Sequence, residues 1–139
     1  MSNEKRKILF VTERRADYSR LKPIMKAVEK SSSLELQLIV TGMHLLKRFG
    51  KTIKNIEEDG FKIDAIVPIF DEEDKDDGAS MVKGMGRALI SFADIFPKLK
   101  PTIVFTGFDI GANFAAAITG MHLNIHVAHI QGGEVSGTV

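Results

Sequence analysis

Short apolar runs and longer amphipathic stretches alternate along the chain. The runs are Ile8–Val11, Leu34–Val40, Ile63–Ile69, Ile103–Thr106 and His126–Ile130. They are rich in β-branched residues and most lack polar alternation, the pattern of strands covered on both faces of a parallel sheet. In the second run Glu35 and Gln37 alternate with Leu34, Leu36 and Leu38 before the sequence turns fully apolar. That suits a strand with one face less covered near its start.

Four stretches between the runs space apolar residues at three and four. Tyr18, Leu21, Met25 and Val28 form one stripe; Leu45 or Leu46, Phe49, Ile53 and Ile56 form the next. Met81, Met85, Leu89, Phe92 and Phe96 form a third, and Phe114, Ile118 and Met121 a fourth. Each predicts a helix laying one apolar face on a sheet. Alternating strands and helices with short connections predict an α/β fold, a doubly wound parallel sheet of about five strands with right-handed crossovers. Pro23 fits the first helix if Ser19 is its N-cap and kinks it if Asp17 is. Gly60 reads as the stop of the second helix, and Pro97 and Pro101 bracket the end of the third.

The length of 139 residues suits one domain with an adequate core. The absence of cysteine excludes disulfides, thiolate zinc sites, iron–sulfur clusters and cysteine nucleophiles. A net charge of +1 argues against a dedicated nucleic-acid binder. No run is long enough for a signal peptide or a membrane helix, so a cytoplasmic protein without membrane partners is expected. The acidic run Asp71–Asp77 lacks the alternating spacing of a calcium loop and reads as a solvated, mobile connection.

In open α/β sheets ligands bind beyond the carboxyl ends of the strands, so the loops there hold the candidates. After the first run stand Arg14, Arg15, Asp17 and Ser19 at a helix start, where unpaired N–H groups favour an anion. A surface loop with those arginines paired to Glu13 and Asp17 is the alternative. The Gly-x-Gly-x-x-Gly fingerprint is absent, against NAD or FAD. After the second run comes Thr41-Gly42-Met43-His44, whose histidine either bonds a ligand or simply packs. After the fourth, Asp109 is a catalytic carboxylate, a helix cap, or both. After the fifth, Gln131-Gly132-Gly133-Glu134 lets backbone approach a ligand and brings Glu134 near Asp109 as an acid/base partner. The histidines His122, His126 and His129 do not form a metal set, because His126 and His129 of one strand point to opposite faces. No metal and no cofactor is expected.

At these loops the sequence resembles the hydrolysing UDP-N-acetylglucosamine 2-epimerases that supply N-acetylmannosamine for sialic-acid-type sugars. The matching residues are Arg15–Ser19 with Leu21 and Pro23–Met25, then Thr41–His44 with Phe49, Gly50 and Thr52. They continue with Lys100–Ile103, Gly107 and Asp109, and end with Asn124, Ile125, Ala128–Ile130 and Gly132–Thr138. The resemblance implies a Rossmann-like half of a glycosyltransferase-B type fold, with the site in an interdomain cleft. It also implies that the chain is most of an N-terminal domain, truncated in mid-loop, with the C-terminal nucleotide-binding domain absent and the isolated piece inactive. Asp109 matches the family's catalytic aspartate, while Arg15 and Ser19 match UDP contacts and His44 a histidine near the sugar; Glu134 is the candidate second catalytic carboxylate. The implied partner is UDP-N-acetylglucosamine, and the full-length protein is expected to be a homo-oligomer.

Three departures bear on the site. The family's Gly-Asp-Arg is here Gly107-Phe108-Asp109-Ile110, one residue longer and without the arginine. The family's glutamate before the paired glycines is Gln131, a neutral amide that orients substrate or cedes the base role to Glu134. A further catalytic Asp follows Gly-Thr-Val in the family, where this chain stops. Alternatives on the same scaffold are a non-hydrolysing epimerase, a nucleotide-sugar glycosyltransferase domain and a non-catalytic nucleotide-binding module.

Overall fold

In the computed structural model, which describes residues 4–133, 135 and 137, all five apolar runs contribute strands of one parallel sheet. The elements are β1 (Arg6–Thr12), α1 (Arg15–Glu29), β2 (Leu34–Thr41), two 3-10 turns (Gly42–Leu45 and Lys47–Phe49), α2 (Ile53–Glu58), β3 (Ala65–Val67), α3 (Gly78–Leu99), β4 (Ile103–Gly107), α4 (Gly111–His122) and β5 (His126–Ile130). The strand order is β3-β2-β1-β4-β5, with Ile8 aligned to Leu36 on one side and to Ile103 on the other. The chain builds outward from β1 to β3, then returns to place β4 on the far side of β1. The β1/β4 junction is therefore the topological switch point, where the carboxyl-end loops part and open a crevice.

Alternation along β1 splits the core in two. Ile8 and Phe10 pack with Leu38, Val40 and the α1 stripe Tyr18, Leu21, Met25 and Val28. Leu9 and Val11 pack with Ile39, Val104, Phe92 and Phe96 beneath α3 and α4. Both faces of β1 are thus sealed, as its unbroken apolar run requires.

Several expectations are corrected. The second helical stripe is not one helix: two 3-10 turns precede a six-residue α2, and Gly50 and Lys51 interrupt them at φ +84° and +51°. The run Ile63–Ile69 yields only three strand residues, ending before Pro68, which has no N–H to give a ladder. Neither Ser19 nor Asp17 is the N-cap of α1; that position is Arg14, and Pro23 lies well inside the helix. Pro97 falls inside the last turn of α3, which ends at Lys100 in the left-handed region. The acidic loop is exposed yet held: Arg87 pairs with Asp71 and Asp74, Arg48 with Asp76, and Asp77 caps α3 through Ser80 N.

The fourth stripe faces the wrong way for a core. Phe114 and Met121 are 59% and 61% exposed, whereas Ala112, Ala115, Ala116, Thr119 and Gly120 are buried. The small residues share the same three-and-four spacing and let α4 lie close to the sheet. A Cβ on Gly120 would stand 3.0 Å from Val127 Cγ2. Close approach at constant packing density leaves no room for a phenylalanine on that face.

Candidate functional site

The end of β1 organises the crevice. Glu13 is buried (6% exposed), and its Oε2 accepts a hydrogen bond of 2.9 Å from Ala112 N in the first turn of α4. Burial raises the Glu13 carboxyl above its usual range, with Asp17 adding to that and the Ala112 N–H partly opposing it. The α4 N-terminus thus already holds a carboxylate of the protein. Asp17, also buried, accepts from the Glu13 and Arg14 N–H groups at 3.0 and 2.8 Å and shapes the turn into α1. Burial raises its pKa too.

His44 has no exposed surface. Its Nε2 lies 2.9 Å from Thr12 Oγ1, its Nδ1 lies 2.7 Å from Thr52 Oγ1, and its N–H donates to the Glu13 carbonyl at 3.2 Å. Burial lowers the imidazole pKa from 6.5 to about 4, so the ring is neutral at pH 7. With both ring nitrogens engaged, His44 braces the ends of β1 and β2 and the entry to α2 from beneath the surface. Gly42 is required beside it: φ is +58°, and a Cβ would come within 2.3 Å of Glu13 Cγ.

On the rim, Arg14 reaches across the switch point, its Nη2 3.6 Å from Asp109 Oδ1. The Asp109 side chain is 97% exposed, and the α4 N-cap position belongs to Ile110. Asp109 therefore stands exposed at the mouth of the crevice, beside Arg14 rather than capping α4. Arg14 Nε is buried and lacks a partner among the described residues. Arg15 is exposed and, with Arg14, Met43, Phe49 and Thr52, lines a cavity of about 310 Å³ between α1 and the loop after β2. Ser19 is exposed one turn further along α1, where its hydroxyl donates to Ala16 O.

The loops after β4 and β5 meet at a residue the sequence did not single out. Arg20 of α1 stacks its guanidinium 5.4 Å from the centroid of Phe108 and donates from Nη1 to Gln131 Oε1 at 3.4 Å. Phe108 and Gln131 are both at positive φ, +66° and +58°. Non-glycine residues in that region concentrate where function or packing holds them.

Arg14, Asp109, Arg20 and Gln131 thus share one rim, with Arg15 on the neighbouring cavity and His44 buried below. Glu134 lies outside the described residues. Arg20 escaped sequence reasoning because an arginine on a helix looks solvated by default, and Glu13 entered it only as a surface partner for the arginines, not as a buried brace. The one signal was Glu13 following an unbroken buried strand. A larger groove of about 780 Å³ runs along α4 and β5, lined by Phe114, Ile118, Met121 and Val127. It contains none of the rim residues. Among the described residues no cluster of His, Asp or Glu is arranged to hold a metal ion, and no helix is long and apolar enough to cross a membrane.

The fold and rim define a class, a Rossmann-like parallel α/β domain with an arginine- and carboxylate-lined crevice at its switch point. The family model described as UDP-N-acetylglucosamine 2-epimerase matches residues 26–139, and the chain belongs to that family of enzymes. It is 40% identical over 134 residues to a UDP-N,N'-diacetylbacillosamine 2-epimerase (hydrolyzing) of Legionella pneumophila, covering 96% of this chain and 35% of that protein. It is 33% identical over 134 residues to a UDP-N-acetylglucosamine 2-epimerase of Neisseria meningitidis, covering 96% of this chain and 34% of that protein. The chain thus spans about a third of the length of these relatives. A crystal structure of the Methanocaldococcus jannaschii UDP-GlcNAc 2-epimerase in complex with UDP-GlcNAc and UDP superposes with a TM-score of 0.76 at 23% identity, covering 94% of this chain and 34% of that one. The glycosyltransferase-B type half expected from the sequence is the fold found.

Proposed function

We propose that this chain forms one wall of the nucleotide-sugar cleft of a hydrolysing UDP-N-acetylglucosamine 2-epimerase. It would serve as the N-terminal domain, opposite a second domain that grips the uridine. In the reaction the C2 proton passes to a base, its electron pair becomes the C1=C2 bond, and the C1–O bond to UDP breaks. Water then adds hydroxyl to C1 and a proton to C2 from the opposite face, giving N-acetylmannosamine and UDP, the precursor chemistry of sialic-acid-type sugars. That sequence needs a carboxylate with access to the sugar, cations for the departing diphosphate, and shelter from bulk water.

The observation that carries the reading is the meeting of Arg14 and Asp109 across the β1/β4 switch point, 3.6 Å apart and open to the crevice. Asp109 is the proton-transfer group, and Arg15 and Ser19 on α1 receive the diphosphate. Gln131, which has no titratable proton at neutral pH, orients the sugar. Glu134 is the proposed second carboxylate. The relative of Legionella whose name includes "hydrolyzing" supports the hydrolytic outcome. His44 contributes from below by holding Thr12 and Thr52, not by touching substrate.

Titrating UDP-N-acetylglucosamine into the 15N-labelled chain tests the site. Expected are shifts at Arg15, Ser19, Asp109 and Gln131; shifts confined to α2, β3 or the α4 outer face defeat the assignment. In a protein that carries this chain and turns over UDP-N-acetylglucosamine, Asp109→Asn is expected to lower kcat by about a hundredfold or more. Free N-acetylmannosamine among the products distinguishes hydrolysis from simple epimerisation.

A further inference from the structure

We propose that Arg20 is a positioning residue that clasps the loops after β4 and β5 together and turns the Gln131 carboxamide into a fixed hydrogen-bond donor facing the crevice. Arg20 touches both loops at once, through the Phe108 ring at 5.4 Å and Gln131 Oε1 at 3.4 Å. Among the described residues of these loops, the two partners are the non-glycine residues held at positive φ. Backbone in that region persists where its surroundings hold it, and the guanidinium supplies one shared restraint for both.

The chemistry assigns the amide. A guanidinium only donates, so the Gln131 oxygen turns toward Arg20 and the Nε2 group toward the open side. Gln131 then offers N–H to a phosphoryl or carbonyl oxygen of a ligand and cannot accept a proton from one. Arg20 itself forms no ion pair with a carboxylate among the described residues, whereas Arg14, Arg48 and Arg87 do. Its charge therefore stays available beside the amide, polarising it as a donor. The nature of the acceptor rests on the nucleotide-sugar reading above; the clasp does not.

The side-chain amide signals of Gln131 in the 15N-labelled chain, assigned by their loss in Gln131→Glu, report the clasp without ligand. Arg20→Ala is expected to shift those signals and the Phe108 ring protons, while the β2 and β3 amides stay in place. Arg20→Lys keeps the charge but lacks the planar fork, is expected to do the same, and carries the test if the alanine variant does not fold. Unmoved Gln131 and Phe108 signals overturn the clasp. With UDP-N-acetylglucosamine as the probe, which carries the sugar that Gln131 is proposed to orient, Arg20→Ala is expected to weaken binding about tenfold, the loss of one charge-assisted contact. Unchanged affinity overturns the donor role. Failure of the unaltered chain to bind UDP-N-acetylglucosamine would count against the nucleotide-sugar reading alone, and the amide signals then decide the clasp.

Discussion

Glu13 Oε2 and Ala112 N, 99 positions apart in the chain, are joined by a 2.9 Å hydrogen bond that fastens the end of β1 to the start of α4. The bond crosses the switch point beneath the Arg14–Asp109 pair, so it sets the width of the crevice floor. Glu13→Ala leaves the buried Ala112 N–H without its acceptor and is expected to cost about 1–3 kcal/mol in urea unfolding. Glu13→Gln keeps an acceptor oxygen and is expected to stay close to the parent at low pH. The raised Glu13 pKa stabilises the fold below about 4.5, and that contribution is lost as pH rises through the folded value. The glutamine variant should therefore gain on the parent toward neutral pH.

His44 works in the opposite sense. Its pKa is about 4 in the folded protein and 6.5 when exposed, so the unfolded chain binds the proton first. The stability from this group is whole above pH 6.5 and falls away as pH drops toward 4, by about 3 kcal/mol in total. Glu13 and Asp17 offset part of that fall, since burial raises both of their carboxyls. Comparing the parent with His44→Gln isolates the histidine: the variant's stability curve should be flatter between pH 6.5 and 4. Parallel curves for the two proteins would contradict the assignment.

Gly42 combines a left-handed backbone with a contact that no side chain fits. Gly42→Ala is expected to destabilise by about 2 kcal/mol or more, from backbone strain and displacement of Glu13 together. Because Glu13 must move, the Ala112 amide signal should shift in the same variant.

The orientation of α4 is open to a paired test. Phe114→Ser, on the exposed face, is expected to change stability by about 0.5 kcal/mol or less. Ala116→Leu forces bulk between α4 and the sheet and is expected to cost about 1–3 kcal/mol. Thermal unfolding of the two variants decides, and the reverse order would place the aromatic stripe against the core.

The amino-acid sequence by itself determined the five strands, their parallel pairing and the loops that leave the strands' carboxyl ends. Buried runs, helical spacing and breakers act over a few neighbouring residues, and Ile8–Val11 reads as a covered strand in any context. Family resemblance likewise pointed to Arg15, Ser19 and Asp109 through contiguous motifs. Tertiary structure alone decided which of two equally spaced stripes on α4 turned inward, because that depends on how closely Gly120 lets the helix approach Val127. It alone decided that His44 is sealed between Thr12 and Thr52, and that Arg20 meets Phe108 and Gln131. Those are encounters between side chains far apart in the chain, fixed by the sheet order and the close packing that follows from it, and no local pattern encodes them.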